Sequence, residues 1–419
     1  MMTRRVVVTG YGVCSPIGNT PEEFWDSLEN GKVGIRDISE EYPNAEQVDV
    51  HVAGLVWDFP YDKYFQKKDA KRMDKFSLYG IYAALEAQAS AGLEITPENE
   101  DRVGVIVSSG IGGLQTIQEQ VTKMNDRGLS RVAPLFVPIS IVNMVAGNVA
   151  LRLGAKGVCT TVVTACASGT NSIGDAFRDI KHGYSDVIFA GGAEAAISDI
   201  GFAGFANLTA LTHSTDPARA SIPFDKDRSG FVMGNGAGVV VLEELEHAKA
   251  RGANILAEVV GYGANCDAYH MTSPIPDGSG AAKAMKLAMN EAGIDPSEVG
   301  YLNAHGTSTK ANEKGESAAI ALAFGDAKGN VKVSSTKSLT GHLLGAAGGI
   351  EAIASIQALE NQFVPATAGT TELDEEVVAT GINVVYGEGQ PTELEYAMSS
   401  SLGFGGHNAV LAFKKWNGE

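Results

Sequence analysis

Cysteine is scarce in this chain: four in 419 residues, at positions 14, 159, 166 and 266, with no CxxC pair. That spacing excludes zinc ribbons and dithiol redox centres. No apolar run approaches the roughly 20 residues that span a bilayer. The opening Met1–Gly10 is basic, but its apolar part is too short for a signal peptide. It reads as a first strand, and the chain as a cytoplasmic protein without membrane insertion. Positive charge is in deficit, with a formal net charge of −18, which argues against nucleic acid as a partner. Aromatics make up only 7% of residues, whereas glycine reaches 50 positions and apolar residues 44%. Such a profile suits an α/β enzyme with closely packed helices, and the length alone allows two or three domains.

What is present repeats itself at long range. A helical stretch ending Gln88–Leu93 precedes the apolar run Val103–Gly110, and one ending Met289–Ile294 precedes Val299–Gly306. The opening strand through Gly10-Tyr11-Gly12 is matched by Val259–Gly263. Asp186–Gly192 with Gly238–Leu242 is matched by Tyr396–Leu402 with His407–Phe413. Strands alternating with helices imply βαβ units and largely parallel sheets. The echo divides the chain into 1–252 and 253–419, so that loops of both halves meet around one site.

Cys166 opens the most informative stretch. The β-branched run Val158–Val163 leads into Thr164-Ala165-Cys166-Ala167-Ser168-Gly169, and Ile173, Phe177 and Ile180 then recur at helical spacing. A cysteine at a strand-to-helix junction faces unpaired N–H groups and the positive end of the helix dipole, both of which favour the thiolate. Cys14, Cys159 and Cys266 read instead as small buried hydrophobes. Two later segments supply partners. Asn303-Ala304-His305-Gly306-Thr307-Ser308-Thr309 follows an apolar strand, and Ser334–His342 carries Lys337 and His342 ahead of a Gly/Ala-rich helix. One thiol, two histidines and a lysine outline a covalent active site.

Other motifs carry less. Gly10-Tyr11-Gly12 lacks the third glycine of a dinucleotide fingerprint and reads as a tight bend leaving the strand. Gly110–Gly113 and Gly234–Gly238 have no P-loop lysine and read as close backbone approaches. Gly403–Asn408 reads as a hairpin turn whose N–H groups could serve an oxyanion hole, with Phe404 against the cysteine. The basic cluster Lys67, Lys68, Lys71 and Arg72 reads, from charge alone, as a solvated helix start.

Together TACASG at Cys166, AHGTST at His305, SSTKSLTGHLLGAAG at Lys337 and His342, DAYHMTSP from Asp267 and GFGGHN at Phe404 resemble the β-ketoacyl-acyl-carrier-protein synthases, type II subgroup, of the thiolase superfamily. The resemblance spans essentially the whole chain. It implies a duplicated five-layered αβαβα thiolase fold with two mixed sheets, a homodimer, and decarboxylative Claisen condensation of acyl-ACP with malonyl-ACP. No cofactor is implied; phosphopantetheine arrives on the carrier protein. Cys166 is implied as the acylated nucleophile and His305 and His342 as the groups assisting decarboxylation, with Lys337 supporting them. Cys166 and Phe404 would form the oxyanion hole, and Phe404 the gate. Thr307 and Thr309 would bind pantetheine, and Ile111 and Phe205 would line the acyl pocket. No metal is required, although Glu351 matches a carboxylate associated with a monovalent cation. Because the carrier is acidic in this family, Lys67, Lys68, Lys71 and Arg72 become a docking patch. The chain departs from the common pattern at His407, Lys310 and Glu313, and an arginine that some members use near the carrier is missing from Leu208–Leu211.

Rival readings fare worse. A thiolase needs a second catalytic cysteine in the C-terminal half, and no cysteine follows Cys266. A type III synthase usually carries Asn where His342 stands. A non-catalytic chain-length factor lacks the nucleophile, and a cysteine hydrolase would not explain two histidines with Lys337.

Overall fold

The computed structural model describes residues 4–69 and 71–419, so that Met1–Thr3 of the basic N-terminus and Ala70 of the basic cluster lie outside the described residues. Eleven strands form the main sheet: β1 (Val6–Cys14), β2 (Val103–Ser108), β3 (Cys159–Thr160), β4 (Val187–Glu194), β5 (Gly236–Glu244), β6 (Ala257–Cys266), β7 (Val299–Asn303), β8 (Lys332–Ser334), β9 (Asn383–Val384), β10 (Tyr396–Gly403) and β11 (His407–Lys415). Across the sheet they run β9-β8-β7-β10-β11-β6-β1-β5-β4-β2-β3. Reading outward from the centre, β1-β5-β4-β2-β3 is antiparallel, antiparallel, parallel, parallel. The series β6-β11-β10-β7-β8 repeats that order. The two mixed halves touch where β1 meets β6, over Val6–Val259, Val7–Glu258 and Val8–Ala257. Hydrogen bonding is therefore continuous across what the resemblance implied as two sheets.

Helices fill the remaining layers. Ser168–Lys181 and Ala347–Asn361 pack on each other and on both halves of the sheet, while Lys75–Ala91 covers β1 and β5, and Ser279–Ala292 covers β6 and β11. Sheet faces covered on both sides need apolar residues throughout, and β1, β2 and β4 are buried along their whole lengths. The two outer helices end alike, at Gly92 and Gly293, both in the left-handed conformation that closes a helix.

Gly10 and Gly12 do not form the bend read from the sequence; both lie inside β1. A Cβ at Gly12 would stand 2.1 Å from the Ala83 carbonyl oxygen, and one at Gly263 would stand 1.9 Å from that of Ala284. The matching GYG segments thus let an outer helix lie directly on its strand. In the central layer, a Cβ on Gly348 would fall 2.1 Å from Thr170 Oγ1. This close crossing brings the helix that follows Cys166 against the helix that follows His342.

Candidate active site

Cys166 lies in a short 3-10 turn, Ala165–Ala167, immediately before the central helix. The apolar run ahead of it does not make a long strand. Only Cys159 and Thr160 pair, at the sheet edge, and both are exposed. Ala165 adopts a left-handed φ of 50°, a conformation costly for a residue with a Cβ and retained where the surroundings fix it. Ser168 Oγ donates to the Ala165 carbonyl at 2.6 Å and accepts from Thr164 N–H at 2.9 Å, bracing the turn. Ile173, Phe177 and Ile180 are buried as their spacing predicts.

The thiolate expectation fails for the resting protein. Burial pushes the Cys166 thiol up to about 12; Lys337 opposes that shift, and Glu194 and Glu351 add to it. Desolvation outweighs the favourable turn, so the resting group is a thiol. Of the other cysteines, Cys14 is buried as read, but Cys159 and Cys266 are exposed. One sits on an edge strand and the other at the end of β6, so neither packs in the core.

A cavity of about 450 Å³ brings together Cys166, Phe205, His305, Thr307, Thr309, His342 and Phe404. His305 and Thr307 follow β7, and His342 follows the short helix Lys337–Thr340. The two imidazoles stand nearly perpendicular, with ring centroids 5.2 Å apart. Burial, and then Lys337, holds both well below the usual histidine range, so they are neutral. The Leu344 N–H donates to His342 Nδ1 at 3.3 Å. Lys337 has no acceptor and donates to His305 Nδ1 at 3.4 Å. Each ring therefore carries its proton on Nε2, presenting two N–H donors to a ligand in the cavity.

Lys337 is itself buried and hydrogen-bonded to Glu351, whose carboxyl burial shifts upward against the pull of the lysine. Glu351 Oε2 and Ser399 Oγ are buried without partners. Thr307 and Thr309 share a hydrogen bond of 3.0 Å between hydroxyls. The hairpin holding Phe404 follows Gly403, where a Cβ would stand 2.5 Å from the Thr164 carbonyl oxygen and 3.3 Å from the Cys166 nitrogen. The turn thus lies directly against the backbone of the nucleophile, and it is the hairpin read from the sequence, with Gly403 opposite His407.

Ile111 does not line this cavity but, like Phe205, packs against the apolar cluster that contains Cys166 and Leu344. Lys67, Lys68, Lys71 and Arg72 are exposed in turns ahead of the helix that starts at Lys75, rather than in a helix start. His407 and Lys310 line the cavity mouth, with Leu208, Thr209 and Ala210.

Sequence reasoning missed the carboxylates beneath the histidine loop. Glu316 accepts from the His305 and Gly306 N–H groups at 2.7 and 2.8 Å, and from Ser400 Oγ at 3.0 Å. Glu313 accepts from Ser308 N–H and lies 3.0 Å from buried Arg228, while burial pushes its carboxyl up to about 7. The available signal was their i, i+3 spacing on the helix Lys310–Phe324, which puts both on one face.

Residues 3–248 match the family described as "Beta-ketoacyl synthase, N-terminal domain", and residues 256–371 its C-terminal domain. The chain belongs to the beta-ketoacyl synthase family. It is 47% identical over 414 residues to a 3-oxoacyl-[acyl-carrier-protein] synthase 2 of Synechocystis sp., covering 99% of this chain and 98% of the relative. Identity to the Vibrio harveyi protein of that name is 49% over 417 residues, covering 99% of each chain. Among solved structures, a beta-ketoacyl synthase from Burkholderia phymatum superposes with a TM-score of 0.91 at 35% identity. A type II polyketide ketosynthase in complex with its acyl-carrier protein does so at 0.90 and 30%; each superposition covers 99% of this chain and 100% of the other. The fold is thus the layered α/β arrangement of the ketosynthases.

Proposed function

We propose that the chain catalyses the decarboxylative condensation of acyl-ACP with malonyl-ACP, giving 3-oxoacyl-ACP, CO2 and free ACP in fatty-acid elongation. The observation that carries this reading is one cavity holding a buried thiol and two neutral imidazoles with free Nε2–H groups. In the first half-reaction the Cys166 sulfur attacks the acyl thioester carbonyl, and the carrier's pantetheine sulfur leaves with the thiol proton. Backbone N–H groups of Cys166 and Phe404 hold the oxyanion. In the second, malonyl-ACP loses CO2, and the electron pair left behind becomes an enolate. Hydrogen bonds from His305 and His342 stabilise its oxygen, and neutral donors suit this role because they need not surrender a proton. The enolate carbon attacks the acyl-enzyme, a carbon–carbon bond forms, and Cys166 leaves as thiolate and is reprotonated from solvent.

Lys337 fixes the tautomer of His305. Thr307 and Thr309 bind the pantetheine arm, Ile111 and Phe205 shape the acyl pocket, and Phe404 gates it. Residues 1–252 supply the nucleophile, and 253–419 the imidazoles and lysine. No resident cofactor is needed, because the pantetheine arrives on the carrier. Glu351 Oε2, the carboxylate oxygen left without a partner, would be the ligand for a monovalent cation there. Lys67, Lys68, Lys71 and Arg72 dock the acidic carrier.

A second copy of the chain covers the open edge of β3 and, on the helix Met144–Leu153 packed beside it, Leu151, which is 80% exposed. Among the described residues no helix is long and apolar enough to cross a membrane, which is compatible with a cytoplasmic enzyme. The deciding experiment supplies purified protein with malonyl-ACP and a ladder of acyl-ACPs, read by mass. Products two carbons longer support the reading, and their absence with every acyl chain removes it.

A further inference from the structure

We propose that Glu194 is a positioning residue that ties the acyl pocket to the His342 turn, so that one carboxylate sets both chain-length preference and the geometry of decarboxylation. This rests on the condensing reading above, in particular on Ile111, packed against the apolar cluster around Cys166, shaping the acyl pocket from behind the cavity lining.

Glu194 ends β4 and is completely buried. Its Oε1 accepts from Ser109 Oγ at 2.6 Å and Ile111 N–H at 3.3 Å; its Oε2 accepts from Gly110 N–H at 2.7 Å and Gly345 N–H at 3.0 Å. Ser109 Oγ also accepts from Gly112 N–H at 2.9 Å, which extends the grip along the loop. Three of the four donors belong to the loop carrying Ile111. The fourth belongs to the turn after His342, where Leu344 N–H holds the imidazole.

The two loops touch over the carboxylate. A Cβ at Gly345 would stand 2.1 Å from Gly110 N and 2.8 Å from Glu194 Oε2. Among the described residues no lysine, arginine or histidine is in ion-pair contact with Glu194, so directed donors alone hold the group. Leu344 belongs to the apolar cluster that contains Cys166, and Ile111 packs against that cluster. Movement of either loop is thus transmitted to the other through a single buried group. Glutamine would turn an NH2 toward donors that need an acceptor, and aspartate is one methylene too short to span both loops.

The test uses Glu194→Gln and Glu194→Asp, with Ser109→Ala cutting only the pocket side. Acylation of Cys166 is measured over the acyl-ACP ladder, and malonyl-ACP decarboxylation separately. Glu194→Gln should change the long-to-short chain ratio of kcat/KM by about tenfold and lower decarboxylation by a similar factor. Ser109→Ala should shift the ratio while decarboxylation stays within about twofold. A folded Glu194→Gln enzyme with the wild-type ratio overturns the proposal. Should that variant not fold, an unchanged ratio in Ser109→Ala does the same. Wild-type enzyme that makes no elongated product would instead defeat the condensing reading itself.

Discussion

Lys337 Nζ lies 3.4 Å from His305 Nδ1 and is hydrogen-bonded on its other side to Glu351. The lysine therefore does two jobs, fixing the imidazole tautomer and neutralising a buried carboxylate. Lys337→Ala should lower condensation about 100-fold, because His305 would no longer be held as an Nε2–H donor. It should also destabilise the fold by roughly 3–5 kcal/mol, because Glu351 is left buried without its partner. Steady-state rates and a denaturant melt check both, and a variant with wild-type stability would show that Glu351 does not depend on the lysine.

Cys166→Ala should leave no acyl-enzyme detectable by intact mass and should abolish condensation. Malonyl-ACP decarboxylation should persist, since both Nε2–H donors remain in the cavity.

His305→Ala and His342→Ala should divide the chemistry the other way. Acylation of Cys166 should survive in each, while condensation falls by roughly 100- to 1000-fold. Either variant condensing at the wild-type rate would contradict its assigned role.

The buried thiol has a consequence for pH. Its value is raised to about 12, so at neutrality only a small fraction is thiolate, and that fraction should grow about tenfold per pH unit. Alkylation of the unliganded enzyme by iodoacetamide should therefore climb without a plateau from pH 7 to about pH 9. Exposed Cys159 and Cys266 would react too, so the reading is taken on the Cys166 peptide. A plateau below pH 8 would restore the thiolate expected from the helix terminus.

The proposed docking patch is tested by charge reversal at Lys67 and Lys71. The KM for acyl-ACP should rise about tenfold at low ionic strength, with kcat kept, and the difference should shrink as salt screens the encounter. A salt-independent KM equal to that of the wild type would dissociate these lysines from carrier binding.

Much of this molecule is written in local patterns. The paired helix-strand echoes and the motifs at Cys166, His305, Lys337 and His342 depend on side-chain type and spacing along the chain, which sequence states directly. Gly10 and Gly12 were legible as special positions but not as mid-strand contacts, because their reason lies on another helix, at Ala83 and Ala91. The same holds for the exposure of Cys159 and Cys266, which follows from lying at an edge or a strand end rather than from residue type.

What the chain alone determined was the set of candidate reacting groups and the duplicated order of elements around them. Tertiary structure decided their state. Burial kept the thiol protonated and the imidazoles neutral, Lys337 and Leu344 chose the tautomers, and Glu194 found backbone partners at Gly110 and Gly345, far along the chain. Charge state and proton position depend on desolvation and on donors brought in from distant segments, and those exist only once the chain has folded.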